Sequence, residues 1–155
     1  MDVYSSSIKP IKLPFKDTCY NTIAVQKVTL PDSLSQFNKY GQLIGKVNET
    51  NNYIAILYTL PADVQLPVIQ VFNKKGEEVA SLVLLIGNCC GEDEACSGIS
   101  TVRITKDLHI ILKDSTQTFE RDKKNADKKY NIQIEKKQRE YIIDSTGKII
   151  PLPEL

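Results

Sequence analysis

The stretch VIQVFNKKGEEVASLVLLIGNCCGEDEAC, residues 68–96, joins two apolar runs to three of the four cysteines and decides the fold. Residues 73–76, NKKG, separate the two runs. An Asn that opens a type I turn, with Gly three positions later in the left-handed conformation, is typical of a short β-hairpin loop. We therefore predict a hairpin here. Its second run is continuously apolar over residues 82–86, which predicts a central strand covered on both faces.

Strand signals recur along the rest of the chain at intervals typical of hairpins. Residues 42–47 and 53–60 flank a string of turn formers, NETNN. Residues 144–147, DSTG, repeat the Asx-x-x-Gly turn, and residues 113–115, KDS, predict another turn. The segment EKKQREY, residues 135–141, has a helix-forming composition but is too short to nucleate a helix alone.

Together these signals predict an all-β fold, an antiparallel meander of about ten short strands stapled by disulfides. The strands form either two packed sheets or an open propeller-like arc. Residues 1–20 are expected to be an extended arm along a sheet edge, where proline costs no ladder hydrogen bond, and residues 21–155 a single β domain. The predicted core is aliphatic: Ile54, Ile56, Val71, Leu82, Leu84, Ile86, Ile104, Ile110 and Leu112.

Composition bounds the possible environments and partners. Twenty basic residues against nineteen acidic ones leave a net charge of +1, so the whole chain has no electrostatic bias toward nucleic acid or anionic membrane. No apolar run approaches the roughly 20 residues that span a bilayer. Met1 before a polar, serine-rich start suggests a mature domain whose export signal or lipid-anchor cysteine has been removed. We expect a monomer in the periplasm, on the outer membrane surface or secreted.

The four cysteines, Cys19, Cys89, Cys90 and Cys96, favour disulfides over free structural thiols or a zinc site with His109. Structural zinc sites usually present cysteines in pairs two to four residues apart, whereas the only close pair here is vicinal. Adjacent cysteines rarely bridge each other. The expected map is therefore Cys90 with Cys96 and Cys19 with Cys89, or the swapped pairing, and either one ties the N-terminal arm to the central strand.

Two short segments concentrate charge. Residues 91–94 supply three carboxylates without the alternating spacing of a calcium loop, so a solvated loop tip is expected. Residues 121–139 hold eight basic residues against three acidic ones, but aromatic residues do not alternate with them as on a base-stacking platform. We therefore expect no specific nucleic-acid binding. The charged loops are instead predicted to bind a protein partner through Glu92, Asp93, Glu94, Lys123, Lys124, Lys128 and Lys129.

Three segments carry a resemblance to known proteins. LPVIQVFNKKGEEVASLVLLIG at residues 66–87, ITKDLHI at residues 104–110 and YIIDSTGKI at residues 141–149 resemble segments of small secreted or lipid-anchored β-meander proteins of bacteria. The two Asx-x-x-Gly hairpins are also similar to single blades of β-propellers. With room for about two or three blades, one chain cannot close a propeller of four or more. The resemblance implies a β-meander and brings no catalytic residues.

The prediction of function rests mostly on the absence of recognisable catalytic and cofactor-binding motifs. The chain has no Gly-x-Ser-x-Gly turn, phosphate-binding loop or cofactor fingerprint, so no catalytic residue, cofactor or metal is predicted. We expect a non-catalytic cell-envelope or secreted β domain that binds a protein, either as a lipid-anchored binding module or as a toxin-neutralising immunity protein. The alternative is a small hydrolase or thiol-redox enzyme that uses a free cysteine, such as Cys96, with His109.

Overall fold

The computed structural model describes residues 8–18, 42–60, 66–87, 91–92, 95–122, 125 and 128–153. These residues contain nine β-strands of three or more residues, one two-residue strand and no helix. The all-β prediction is therefore confirmed, with nine strands where about ten were expected. In chain order the strands are β1 Phe15–Thr18, β2 Gln42–Glu49, β3 Tyr53–Leu60, β4 Leu66–Asn73, β5 Glu78–Val83, the short β6 Gly91–Glu92, β7 Cys96–Ile104, β8 His109–Arg121, β9 Lys129–Ile143 and β10 Ile149–Pro151.

The first sheet has four antiparallel strands in the order β2-β3-β4-β5. β3 has the sequence YIAILYTL, and all its residues except the last are buried. Its apolar side chains on both faces explain its central position, because only a strand covered on both sides tolerates such a run. β3 pairs with β4 without interruption, from Tyr53 opposite Asn73 to Leu60 opposite Leu66.

The predicted central position of residues 82–86 is wrong. β5 ends at Val83 and forms the edge of the first sheet, and Val83 is 46% exposed. Leu84 leaves the strand and is fully buried, with its amide donating to the carbonyl of Pro67. The apolar run thus reaches the core through its loop residues, while β3 and β4 occupy the centre of the sheet.

The second sheet has the order β1-β7-β8-β9-β10, with β6 pairing beside β7. Two of its strands are long, with 13 residues in β8 and 15 in β9. The turn predicted at residues 113–115 is wrong, because these residues lie within β8. Segment 135–141 lies within β9, where pairing with β8 overrides its helix-forming composition.

The two sheets pack face to face around the larger of two apolar clusters among the described residues, so the structure shows two packed sheets and no propeller-like arc. The first sheet contributes residues such as Ala55, Leu57 and Ile69, and the second contributes Val102 and Ile104. Most of the predicted core is confirmed: Ile54, Ile56, Val71, Leu84, Ile104, Ile110 and Leu112 are buried, whereas Leu82 and Ile86 are only partly buried against the core.

Both predicted Asx-x-x-Gly turns are confirmed, and they share the same hydrogen bonds. The amide of Gly76 donates to the carbonyl of Asn73 at 3.0 Å, and the amide of Gly147 donates to that of Asp144 at 3.1 Å. In each turn the side-chain oxygen of the first residue also accepts amide hydrogens two and four residues later. The glycines have φ values of 88° and 89°, the left-handed region that disfavours a Cβ.

The described part of the N-terminal arm, residues 8–18, contacts both sheets. The amide of Ile11 donates to the carbonyl of Lys46, and the amide of Lys46 donates to the carbonyl of Lys9, beside β2. After the cis peptide bond between Leu13 and Pro14, β1 pairs with β7 in the other sheet. The arm therefore bridges one edge of the sandwich. The predicted boundary at residue 20 lies outside the described residues.

Candidate protein-binding surface

The β8–β9 hairpin extends beyond the first sheet, whose strands have only six to eight residues. As a result, residues 130–139 of β9 are exposed on both faces. Ile132 and Ile134 are 52% and 61% exposed, unusual values for isoleucines within a strand. The sandwich therefore leaves both faces of this part of the second sheet uncovered by the described residues.

Strand register brings four cations onto the outer face of the second sheet. Lys16 lies opposite Arg103, and Lys113 lies opposite Thr101, whereas Lys136 lies opposite Ser115. Alternate residues of neighbouring strands share a face, and the intervening residues Val102, Ile104, Ile110 and Leu112 point into the core. We call the exposed set Lys16, Arg103, Lys113 and Lys136 the basic face.

The charge of the basic face is not balanced locally. Among the described residues, none of its four cations makes an ion pair. Glu140 lies on the same face, opposite Ile111, and its Oε1 accepts a hydrogen bond from Nε2 of Gln138 at 2.6 Å. Four like charges held on a rigid sheet create a positive potential that attracts an acidic partner.

A groove of about 470 Å³ crosses the basic face. Its lining includes three cations, Lys16, Arg103 and Lys113, and one acid, Glu140, together with apolar Pro14 and Ile111. This mixture of an apolar floor and cationic rims is typical of surfaces that bind other proteins, because apolar contact supplies affinity and charge supplies orientation.

The predicted basic loop residues are only partly described. The Lys129 ammonium lies 4.2 Å from the centroid of the Phe119 ring, and the Arg121 guanidinium lies 5.1 Å from the same centroid. The Lys128 ammonium lies 5.2 Å from the ring of Tyr130. These cation–π contacts stabilise the tip of the hairpin, so Lys128 and Lys129 have a structural role there. Lys123 and Lys124 lie outside the described residues.

The predicted acidic segment lies at the same end of the second sheet as this tip. β6, which contains Glu92, pairs with Ser97 and Gly98 at the start of β7, and the amide of Phe119 donates to the carbonyl of Ala95. Asp93 and Glu94 lie outside the described residues. The fold therefore brings the backbone of Gly91 and Glu92 close to the basic hairpin, although these segments are about 30 residues apart in the sequence.

A buried polar cluster lies where the apolar core ends. The Asp114 carboxylate, 5% exposed, accepts hydrogen bonds from the hydroxyls of Ser100 and Thr116. The backbone of Gly87 packs directly against this carboxylate, so that a Cβ at Gly87 would overlap its oxygens. Because the donors satisfy the carboxylate, the cluster explains how a polar residue fits inside β8.

A second polar group lies on the far face of the first sheet. Nε2 of Gln70 donates to the Glu78 carboxylate, and Oε1 of Gln70 is buried without a hydrogen-bond partner. Burial, followed by the neighbouring charge of Glu78, raises the pKa of the Tyr58 hydroxyl. Tyr58 therefore stays neutral and is not suited to act as a base.

The residues of the enzymatic alternative are separated where they are described. Cys96 lies opposite Thr118, nine residues along β8 from His109, which corresponds to about 30 Å. His109 is half-buried on the sheet, beside Ile142 of β9. The other cysteines, Cys19, Cys89 and Cys90, lie outside the described residues, so no complete disulfide is seen. The described part of the chain contains no group of three or more potential metal ligands.

The sequence alone did not identify Lys16, Arg103 and Lys113 as members of one surface. They come from β1, β7 and β8, and only strand register places them together. The alternation of apolar and polar residues along residues 99–104 was visible in the sequence, but it does not specify which strands are neighbours.

Comparison with known proteins gives no assignment. Within the described residues, no helix has the length and hydropathy needed to cross a bilayer. No protein-family model, curated protein or solved structure matches the chain.

Proposed function

We propose that the chain is a non-catalytic β domain that binds an acidic protein partner through the basic face. The observation that carries this proposal is the exposed, unpaired set of cations along the groove of the second sheet. Evenly spread surface lysines need no partner, but three cations that line one partly apolar groove, with Lys136 on the same face, carry both features of a binding site.

We further propose that the domain acts in the cell envelope or outside the cell, as a lipid-anchored module or an immunity protein that neutralises a toxin. Among the described residues no cysteine thiol is free. A disulfide is typical of oxidising compartments. This observation supports export and the disulfide-stapled fold, in which the expected partner of Cys96 is Cys90 or, in the swapped pairing, Cys89.

The same observation argues against the alternative of a thiol enzyme that uses Cys96 with His109. A nucleophilic thiol must be ionisable and within hydrogen-bond reach of its base. Cys96 is not found as a free thiol and lies about 30 Å from His109, so neither requirement is met.

Site-specific photo-crosslinking tests the proposal. We would place benzoylphenylalanine at Lys113, within the groove, and at Lys75, an exposed residue of the turn in the first sheet, as the matched control. Incubation with extracts of the source organism should yield a discrete adduct from position 113 and none from position 75. The adduct should weaken when Lys16 and Arg103 are both changed to Glu.

Two outcomes would contradict the proposal. One is equal crosslinking from both positions, or none from position 113. The other is reproducible turnover in a substrate screen that His109→Ala abolishes, since a binding domain should retain its function after that change.

A further inference from the structure

We propose that the partner presents an extended acidic segment, which pairs with the outer edge of β9 as an added strand. This inference rests on the proposed function and specifies how the partner binds. We call Ile134, Lys136 and Gln138, whose backbone groups point outward along β9, the open edge.

Hydrogen bonds at the end of β9 establish which backbone groups point outward. The carbonyl of Glu140 accepts from the amide of Leu152 at 2.8 Å, on the side of β10. The amide of Ile143 instead donates toward β8, to the carbonyl of Leu108. In an antiparallel strand, alternate residues direct both their N–H and C=O groups to the same side. Therefore Gln138, Lys136 and Ile134 face the same side as Glu140.

No described strand covers this side of β9. β10 pairs only with residues 141–143, and β9 pairs with β8 on its other side. The uncovered length, residues 133–139, corresponds to about 23 Å. At its N-terminal end, the left-handed residue Asn131, with φ 50°, lies at an irregularity of the β8–β9 pairing. A segment of this length suits one additional strand of ordinary size.

The open edge lacks two features that prevent strand addition, a proline and a β-bulge. Residues 133–139 contain no proline, and their register with β8 has no bulge. What they do contain is charge: Lys136, Lys137 and Arg139 against Glu135. Positive charge prevents pairing with neutral or basic strands, but it favours pairing with an acidic one.

The exposed side chains beside the edge define the rest of the partner. Lys136 belongs to the basic face, whereas Lys137 and Arg139 project from the opposite face of β9. Ile134, at 61% exposed, offers an apolar contact. An extended segment in which acidic residues alternate with β-branched apolar residues therefore satisfies the charge and the backbone groups together.

A second copy of the chain fits this edge poorly. Antiparallel pairing of two β9 strands would bring together two segments that each carry three cations and one acid. The net repulsion between them, from like charges in neighbouring strands, disfavours a symmetric dimer. An acidic strand from another protein does not meet this repulsion.

The experiment uses an acetylated, amidated decapeptide of alternating glutamate and valine as its probe, with a lysine–valine peptide as the charge control. Amide hydrogen exchange of the full chain is followed by NMR. We expect fast exchange at the open edge in the free protein and at least about tenfold slower exchange with the acidic peptide at saturation. The lysine–valine peptide should cause no protection.

A matched pair of variants separates strand addition from simple charge attraction. Gln138→Pro removes one outward N–H without removing a β8–β9 hydrogen bond, and Gln138→Thr keeps that N–H. Both variants lose the side-chain hydrogen bond to Glu140. We expect Gln138→Pro to weaken peptide binding about tenfold, and Gln138→Thr to leave it within about twofold.

The inference is overturned if the acidic peptide does not bind, if protection maps elsewhere, or if the two variants bind equally. It is also overturned if a single-stranded oligonucleotide protects these amides better than the peptide does. Should Gln138→Pro fail to fold, the protection pattern in the unchanged chain decides the matter. If crosslinks still form at position 113 while the open edge stays unprotected, the partner-binding function stands and only this mode of binding is refuted.

Discussion

The two glycines of the matching turns allow backbone strain and side-chain packing to be separated. Gly76 and Gly147 have nearly the same φ, 88° and 89°. A Cβ at Gly76 would meet nothing within 4 Å, whereas a Cβ at Gly147 would lie 2.9 Å from Cγ1 of Val71 and 3.0 Å from Cγ of Tyr53. Val71 and Tyr53 are among the most buried residues, so neither has room to move.

The expected costs follow from these contacts. A left-handed conformation costs an alanine roughly 1–2 kcal/mol, and this term should be the whole effect of Gly76→Ala. Gly147→Ala adds overpacking against the core, about 1–3 kcal/mol more. The lower entropy of the unfolded chain, common to any Gly→Ala change, cancels in the comparison. Gly147→Ala should therefore lower the free energy of unfolding by about 1–3 kcal/mol more than Gly76→Ala does.

Urea unfolding followed by circular dichroism and tyrosine fluorescence measures both variants, since the chain has seven tyrosines and no tryptophan. The midpoint for Gly147→Ala should lie about 0.5–1.5 M below that of Gly76→Ala, with unchanged slopes. Equal midpoints, or a larger loss for Gly76→Ala, would refute the packing argument.

Two further predictions concern polar groups. Gly87→Ala should destabilise the fold by roughly 2–4 kcal/mol, because its Cβ displaces the Asp114 carboxylate from its buried donors, and thermal unfolding should show a smaller loss in an Asp114→Ala background. The pKa of the Asp144 carboxyl is lowered, mainly by the hydrogen bond that it accepts from the Thr146 hydroxyl. The ionised carboxylate therefore stabilises the fold above its unfolded-state pKa of 3.8, and this contribution is lost as the pH falls through the lower folded-state pKa. Asp144→Asn should keep the turn, as Asn73 does in the matching turn, and should reduce the loss of stability between about pH 5 and pH 2; an unchanged pH profile would contradict this assignment.

Several features were readable from the sequence because they depend on contacts within a few residues. The Asx-x-x-Gly turns at residues 73–76 and 144–147 need only a side-chain oxygen near the following amides and a glycine in the left-handed region. The sequence also indicated β3 and β4 as strands, since their β-branched and aromatic residues favour extended structure. The proline-rich arm was likewise assigned to an edge for a local reason, its missing amide donors.

Strand length was predicted less well, because the local turn preference of residues 113–115 is outweighed by hydrogen bonds with residues of neighbouring segments. KDS is typical of a turn, but Asp114 finds donors on Ser100 and Thr116, which let β8 continue through it. For a similar reason EKKQREY is a strand: it pairs with β8 along its whole length, and no local preference of seven residues outweighs that pairing.

Taken by itself, the sequence determined the all-β class, the two turns and most of the core, because periodicity and turn chemistry act locally. Only the tertiary structure decided that β5 is an edge strand, that β9 has an uncovered side, and that Lys16, Arg103, Lys113 and Lys136 share one face. The physical reason is that sheet order and register come from competition among strands far apart in the chain. Charged residues from distant parts of the chain form one surface only when their strands are neighbours in the same sheet.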